Sequence, residues 1–439
     1  MANKHSTARE MIMFSLPLIF SGILQQLYSW ADAFIVGRVE GELPLAAVGA
    51  TSSITYFFIN MILGFTLGLS IMGAQHFGRR DTDAVRRILS CFLPLLAAAA
   101  AVLSALAFVF AVPVLQLMNT PADIFDMAHG YLRIAFLGVP FLAVYNLYAA
   151  LLRAVGNTKA ALYAVLLSSV LNVALDVLFI AGFGWGVAGA AAATVISQIV
   201  MTVFIVLYAV RNYECLRLAG RRQWFDRSVL AQGMRFSIPP TVQNSVTSLG
   251  NLVLQNFMNS FGSTTVLAIT TAYRVDSMML LPIFNLGAAI SSMAARAKGA
   301  NDRRKIESCF FTGLGLMMAV CVVLSVVMFL FGAQFVAIFG VTGQALAIGQ
   351  QFFRDLSIFY TLFGSGIVLR SVLEGVGDIT CASVIGIAML AQRILFSYLL
   401  RPFLAQRTIA IAEGIAWCLM LLTLIWRVQH LHRKAQKNA

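Results

Sequence analysis

Four side chains in the first half of this 439-residue chain have types and spacings that can do chemistry. Asp32 follows Tyr28 by four positions and Asp176 follows Asn172 by four, so on a helix each carboxylate shares a face with a polar neighbour one turn away. Both aspartates lie in long apolar runs, about four and about six residues before the outer end, or roughly 6 to 9 Å deep at the helical rise. Thr194, about seven residues into the following run, reaches a similar depth at the same rise per residue. Two carboxylates, a carboxamide and a hydroxyl form a hard-oxygen set for a small cation, or a carboxyl pair that shares a proton. Holding an ionisable group at membrane depth is costly, which makes each aspartate a functional candidate. Solvation near the membrane interface is the alternative for either one alone, and the coincidence of three runs at one depth weighs against it.

The second half carries a different set. Asp276 lies two residues from Arg274 and so on another helical face, where a local or interhelical ion pair is expected. Arg274 and Arg393 supply buried positive charge that the first half lacks, and Arg393 and Glu413 are candidates for the lining of a second cavity. The histidines, His5, His76, His129, His430 and His432, fall in loops or termini, and the cysteines show no CxxC or other metal-ligand spacing. An enzyme is therefore not expected, nor a structural metal, nor any cofactor beyond a coupling ion.

These residues must be positioned by elements suited to lipid. The chain is 60% hydrophobic and 11% charged, against about 25% charged in soluble domains. Apolar stretches at roughly 11–36, 45–72, 88–112, 131–152, 160–182, 187–210, 236–260, 265–294, 308–332, 352–373, 381–400 and 409–426 are each long enough to cross about 30 Å of hydrocarbon. The first follows Lys4 and Arg9 but is too long for a signal peptide and is read as a retained span. Of the 31 Lys and Arg, only Arg38, Arg401 and Arg407 fall on the side opposite the termini, while Arg133, Arg274, Arg354 and Arg393 lie within spans or at their ends. The remaining 24 lie on the side of the termini, so both termini are expected to be cytoplasmic. The net charge of +13 thus records orientation, and nucleic acid is not an expected partner.

A shift of about 221 residues superposes the chain on itself. Phe14-Ser15-Leu16-Pro17 falls on Phe236-Ser237-Ile238-Pro239, Gly78 to Asp81 on Gly299 to Asp302, Arg133 on Arg354, and Val155-Gly156-Asn157 on Val376-Gly377-Asp378. Each copy holds an even number of spans, so the two halves are parallel repeats. An N-terminal six-helix lobe is expected over 1–210, a basic cytoplasmic linker over 211–235, and a C-terminal six-helix lobe over 236–439. The chemistry is not repeated: Asp32, Asn172, Asp176 and Thr194 align with Leu254, Arg393, Ser397 and Ile415. Pro17 and Pro239, early in the first span of each half, mark packing kinks or hinges.

Leu16-Pro17, Gln25 to Tyr28, Asp32-Ala33-Phe34-Ile35-Val36-Gly37-Arg38 and Leu45 to Gly49 resemble the multidrug and toxic compound extrusion (MATE) family. So do Ala74-Gln75, Arg153 to Asn157 and Asn172-x-x-x-Asp176, and the likeness covers essentially the whole chain. The resemblance implies an all-α integral membrane protein of twelve helices in a two-lobed, V-shaped arrangement, and cation-coupled export of small amphipathic compounds. Carried over by position, Asp32, Asn172, Asp176 and Thr194 match the first-lobe cation site of the DinF-like branch. Tyr28 belongs to its hydrogen-bond network, Asn146 to its cavity and Pro17 to its bending helix. The NorM branch instead has carboxylates in spans 7 and 10; here span 7 has no acid and Phe363 stands at the span-10 position.

The expected function is H⁺- or Na⁺-coupled multidrug antiport by alternating access. The protein is expected to work as a monomer in a bacterial inner membrane, with a small-molecule substrate and membrane lipids as its partners. The alternative is a lipid-linked oligosaccharide flippase of the same broad superfamily, which would need a strongly cationic cavity.

Overall fold

The computed structural model describes residues 2–218, 220 and 225–437. Part of the linker, residues 219 and 221–224, lies outside the described residues, as do the side chains of His5 and His432. Every regular element among the described residues is a helix. The first half comprises α1 (Ala2–Val39), α2 (Glu42–Gly78), α3 (Thr82–Val109), the short α4 (Ala111–Leu117), α5 (Ala122–Ala154), α6 (Lys159–Asp176) and α7 (Gly186–Asn212). The second comprises α8 (Arg227–Asn259), α9 (Ser263–Met279), α10 (Leu281–Gly299), α11 (Arg303–Ala337), α12 (Gly343–Ser357), α13 (Tyr360–Val376), α14 (Ile379–Leu404) and α15 (Thr408–Lys437).

Among the described residues, nine helical stretches are long and apolar enough to cross a membrane, or ten when α12 and α13, bent by 52° at their junction, count as one span. One stretch, Ile379–Leu431, contains both α14 and α15. The Ser-, Thr-, Gln- and Asn-rich α8 is too polar to be counted by composition. With α14 and α15 separated and α8 included, the set is the expected twelve. The protein is an all-α, multi-pass membrane protein.

The internal repeat is visible in its turns. Arg80 and Asn301, equivalent by the shift, both adopt left-handed backbone, at φ 63° and 57°. In each copy the next residue caps the following helix: an Asp81 carboxylate oxygen accepts from the Ala84 amide and one of Asp302 from the Lys305 amide, both at 2.9 Å. Gly156 and Gly377 likewise share positive φ, 97° and 103°, where a residue without Cβ ends a helix at least cost.

The chain divides into two compact units, Leu16–Thr241 and Met1–Ser15 with Val242–Ala439. Both divisions fall inside helices, beside Pro17 in α1 and Pro239-Pro240 in α8. Unit membership therefore departs from the 1–210 and 236–439 boundaries at the two helix beginnings. The start of α1 groups with the second unit because Met11 is fully buried in its core, Glu10 pairs with Lys305 at 3.6 Å, and Phe14 lies under the Arg296 guanidinium at 5.1 Å. The start of α8 groups with the first unit because Gly64 and Gly68 let its backbone lie directly on α2. A Cβ at Gly68 would stand 2.4 Å from the Phe236 carbonyl oxygen, and one at Gly64 2.6 Å from that of Pro240.

Within the first unit α5 is the central helix, packed by α2, α3 and α7. Side-chain hydroxyls join these neighbours to its backbone: Ser70 donates to Ala150 O at 2.8 Å, Ser104 to Phe136 O at 2.5 Å, and Thr202 to Phe141 O at 3.0 Å. In lipid, where water does not satisfy a buried hydroxyl, such bonds fix helix register. In the second unit α13 takes the corresponding place, packed by α10, α11 and α15.

Candidate functional site

The first unit assembles the side chains singled out by spacing. α1 carries Tyr28 and Asp32, α5 Asn146, α6 Asn172 and Asp176, and α7 Thr194. Asp32, Asn146, Asn172 and Asp176 are buried, Asp176 completely. The Asp32 and Asp176 carboxyl groups meet each other, although their helices are far apart in sequence. Asn146 Nδ2 is held by the Leu142 carbonyl one turn back, at 2.8 Å.

Five polar atoms in this cluster are buried with no protein hydrogen-bond partner: Asp32 Oδ1, both carboxylate oxygens of Asp176, and both amide atoms of Asn172. Native interiors rarely leave such groups unmet, because each costs its full desolvation. Two carboxyls, a carboxamide and the nearby Thr194 hydroxyl match the preferences of H⁺ or a small hard cation such as Na⁺. The chemistry of this donor set fits a proton or a small hard cation.

Beside the cluster lies a cavity of about 110 Å³, large enough for a few waters. Tyr28, Asn146, Asn172 and Thr194 line it. The carboxyls do not; the residues one turn before them do, so the cavity reaches each aspartate through its helical neighbour. Gln25, Ser197 and Gln198 add polar groups to the lining.

Three features of this site were not expected from spacing. Asp176 is the last residue of α6 before a π-helical turn over Val177–Gly182. The wider turn shifts the direction of every later side chain, a distortion frequent at functional sites. Tyr131 on α5 and Tyr56 on α2 also stand within electrostatic reach of the cluster, Tyr131 acting with Asp32, Tyr28 and Asp176. No periodicity marks either tyrosine; only the packing of α2 and α5 on α1 brings them in.

In the second unit, Arg393 and Glu413 come together as an ion pair with an Nη2 to Oε2 distance of 3.0 Å, so their charges are committed to each other. Asp276 does not pair with Arg274: it accepts a hydrogen bond from the Tyr360 hydroxyl on α13. Arg274 is exposed rather than buried, which corrects the expectation of two interior arginines, because its position points away from the face that carries Tyr273 and Asp276. Arg133 and Arg354 lie against Phe108 and Phe329, at 4.1 and 5.9 Å from the ring centroids.

The MatE family model matches residues 17–178 and 239–399, once in each repeat. The probable multidrug resistance protein YoeA of Bacillus subtilis (strain 168) is 27% identical over 392 residues, covering 88% of this chain and 85% of that protein. Among solved structures, MATE in the bent conformation superposes with a TM-score of 0.91 at 22% identity, covering 99% of this chain and 97% of the other. MATE in the straight conformation does so at 0.88 with 23% identity and the same coverage. Matched by the family model through both of its repeats, this chain belongs to the MATE family, whose members are transporters and not enzymes.

Proposed function

We propose that the protein is a cation-coupled multidrug antiporter of the DinF-like branch, driven by H⁺ or Na⁺ bound at the Asp32–Asp176 cluster. The five unpartnered buried atoms carry this reading. The name of the YoeA relative supports export of chemically diverse small molecules. The charge pattern of the loops supports both termini in the cytoplasm.

Asp32 and Asp176 hold the ion or proton, and Asn172 and Thr194 complete the oxygen set. With the site discharged, two carboxylates face each other in a medium of low dielectric and repel. Charging them relieves that repulsion and lets the outer part of α1 repack about Pro17, where the helix lacks one backbone donor. Tyr28, one turn from Asp32, transmits the change to the cavity it lines. One elementary charge moving inward supplies about 2.3 kcal/mol per 100 mV, and a unit of pH gradient about 1.4 kcal/mol, enough for substantial accumulation. Efflux from proteoliposomes under separately imposed pH and Na⁺ gradients, with a panel of cationic and neutral amphiphiles, tests coupling and export together. Efflux indifferent to both gradients would overturn the reading.

The flippase alternative has less support. Of the arginines at membrane level, Arg393 is neutralised by Glu413 and Arg370 by Glu374, Arg274 is exposed, and Arg133 and Arg354 lie against aromatic rings. A pyrophosphate-binding cavity would need free guanidinium groups converging on one space.

A further inference from the structure

Two spans of the second unit are locally irregular: α9 and α10 form one continuous stretch with a one-residue break in the helix at Leu280, and α12 and α13 are bent by 52° at their junction. Asp276 lies one turn before the first interruption, and Tyr360 is the first residue after the second. The Tyr360 hydroxyl donates to Asp276 Oδ1, so a single hydrogen bond ties the two interruptions together. Discontinuous helices in membranes are tolerated where they serve a buried site, since they free backbone groups that must be satisfied locally.

Charged and aromatic groups from two more helices enclose this bond. Arg393 on α14 donates to Tyr273 Oη at 2.6 Å, Tyr273 donates to Glu413 Oε2 at 3.1 Å, and Arg393 and Glu413 pair at 3.0 Å. Trp417, one turn beyond Glu413 on α15, stacks on Phe363 with centroids 4.3 Å apart and lies 6.0 Å from the Tyr360 ring. Asp276 and Glu413 are 3% and 6% exposed.

The charges do not balance. Among the described residues, the groups that act on Asp276 are Tyr360 from α13, Glu413 from α15, Arg393 from α14 and Tyr273 from α9 itself. Two carboxyls therefore share one guanidinium, and Arg393 is already engaged with Glu413. A second buried carboxylate without a countercharge is strongly disfavoured. A proton on Asp276 Oδ2, with Oδ1 accepting from Tyr360, makes the cluster neutral. By the repeat, Arg393 stands where the first half has Asn172, so the second half has a tethered cation at the position where the first has an ion ligand.

We propose that Asp276, with Tyr360, is a second proton-binding site, loaded and emptied once per transport cycle. The proton on Asp276 Oδ2 departs to water and leaves a carboxylate that competes with Glu413 for Arg393. That competition draws Arg393 away from Glu413 and tightens the Tyr360 bond, which shifts the packing of the two helix interruptions; reprotonation restores it. The role in the cycle rests on the transport reading above, but the presence of the proton does not.

The experiment keeps the two apart. The full-length protein in lipid is examined by infrared difference spectroscopy across a pH titration, in the carbonyl-stretch region of protonated carboxylic acids. A band present in the parent and in the D32N/D176N double variant, lost in D276N and displaced in Y360F, is the expected result. Acid bands unchanged in both D276N and Y360F would overturn the proposal, and Y360F keeps the test decisive if D276N fails to fold. For coupling, reversal-potential measurements in proteoliposomes should show one proton fewer per substrate in D276N. A ratio equal to the parent's would overturn the role in the cycle.

Discussion

Asn172 and Arg393 occupy equivalent positions in the two repeats, yet Asn172 leaves both amide atoms buried and unpartnered while Arg393 is paired to Glu413 at 3.0 Å. One fold has thus been given two electrostatic programmes. The first unit presents oxygen atoms without a cation, and the second carries its own.

The unsatisfied amide predicts opposite effects of one substitution on stability and on function. Asn172→Leu removes two buried polar atoms whose desolvation costs about 1–3 kcal/mol each. In buffer without coupling ion the variant should melt at a higher temperature than the parent, while its ion-driven efflux falls at least about tenfold, a factor equal to 1.4 kcal/mol. Differential scanning fluorimetry and vesicle efflux measure the two. A variant that is both less stable and fully active would contradict this role for Asn172.

The Arg393–Glu413 pair should show strong non-additivity. Arg393→Met alone leaves Glu413 buried without a cation, at a cost of about 3–5 kcal/mol, whereas Glu413→Leu alone leaves Arg393 to the neighbouring Asp276 and costs less. The double variant should recover most of that loss. Equilibrium unfolding in detergent, read as a double-mutant cycle, checks the coupling; additive losses would indicate that the pair is not closed in the folded state.

Close helix contact predicts a sharp contrast between two glycines of α2. Gly68→Ala places a Cβ against the α8 backbone, 2.4 Å from the Phe236 carbonyl oxygen, whereas a Cβ at Gly49 meets nothing within 4 Å. The first should destabilise by about 1–3 kcal/mol and the second should stabilise by up to about 1 kcal/mol, the helix preference of alanine over glycine. Thermal stability of the two purified variants, measured side by side, is sufficient.

At the start of α8, outside the membrane, Asp226 accepts from the Ser228 hydroxyl and amide at 2.7 and 2.9 Å and from the Val229 amide at 3.3 Å. The Ser228 hydroxyl bond, followed by that to Val229, holds its carboxyl below the ordinary range. A depressed acid stabilises the folded turn above its unfolded pKa and loses that contribution as pH falls through the folded value. Amide exchange at Ser228 and Val229, corrected for intrinsic rates, should accelerate on acidification in the parent and be fast at all pH values in Asp226→Ala.

Much of this arrangement was legible in the sequence because it is periodic. Apolar runs of membrane length gave the spans, four-residue spacings placed Tyr28 with Asp32 and Asn172 with Asp176, and Gly78 to Asp81 recurring at Gly299 to Asp302 announced the repeat. What escaped depends on contacts between distant segments. The π-helical turn after Asp176, the approach of Tyr131 and Tyr56, and the Tyr360–Asp276 bond all arise from tertiary packing. The exchanged helix beginnings follow from Gly64 and Gly68, which read simply as small residues until α8 is seen lying on them. Within the continuous span Ser263–Gly299, the one-residue break in the helix at Leu280 is marked only by Pro282, at the start of α10, where its missing amide donor is tolerated.

The central claim is that Asp32 and Asp176 together hold the coupling ion. The most direct measurement is substrate efflux from proteoliposomes under an imposed pH or Na⁺ gradient for the parent, Asp32→Asn and Asp176→Asn, with folding of each confirmed by gel filtration. The account predicts that both variants fold and that each loses gradient-driven efflux. Parent-like coupled transport in both would contradict it.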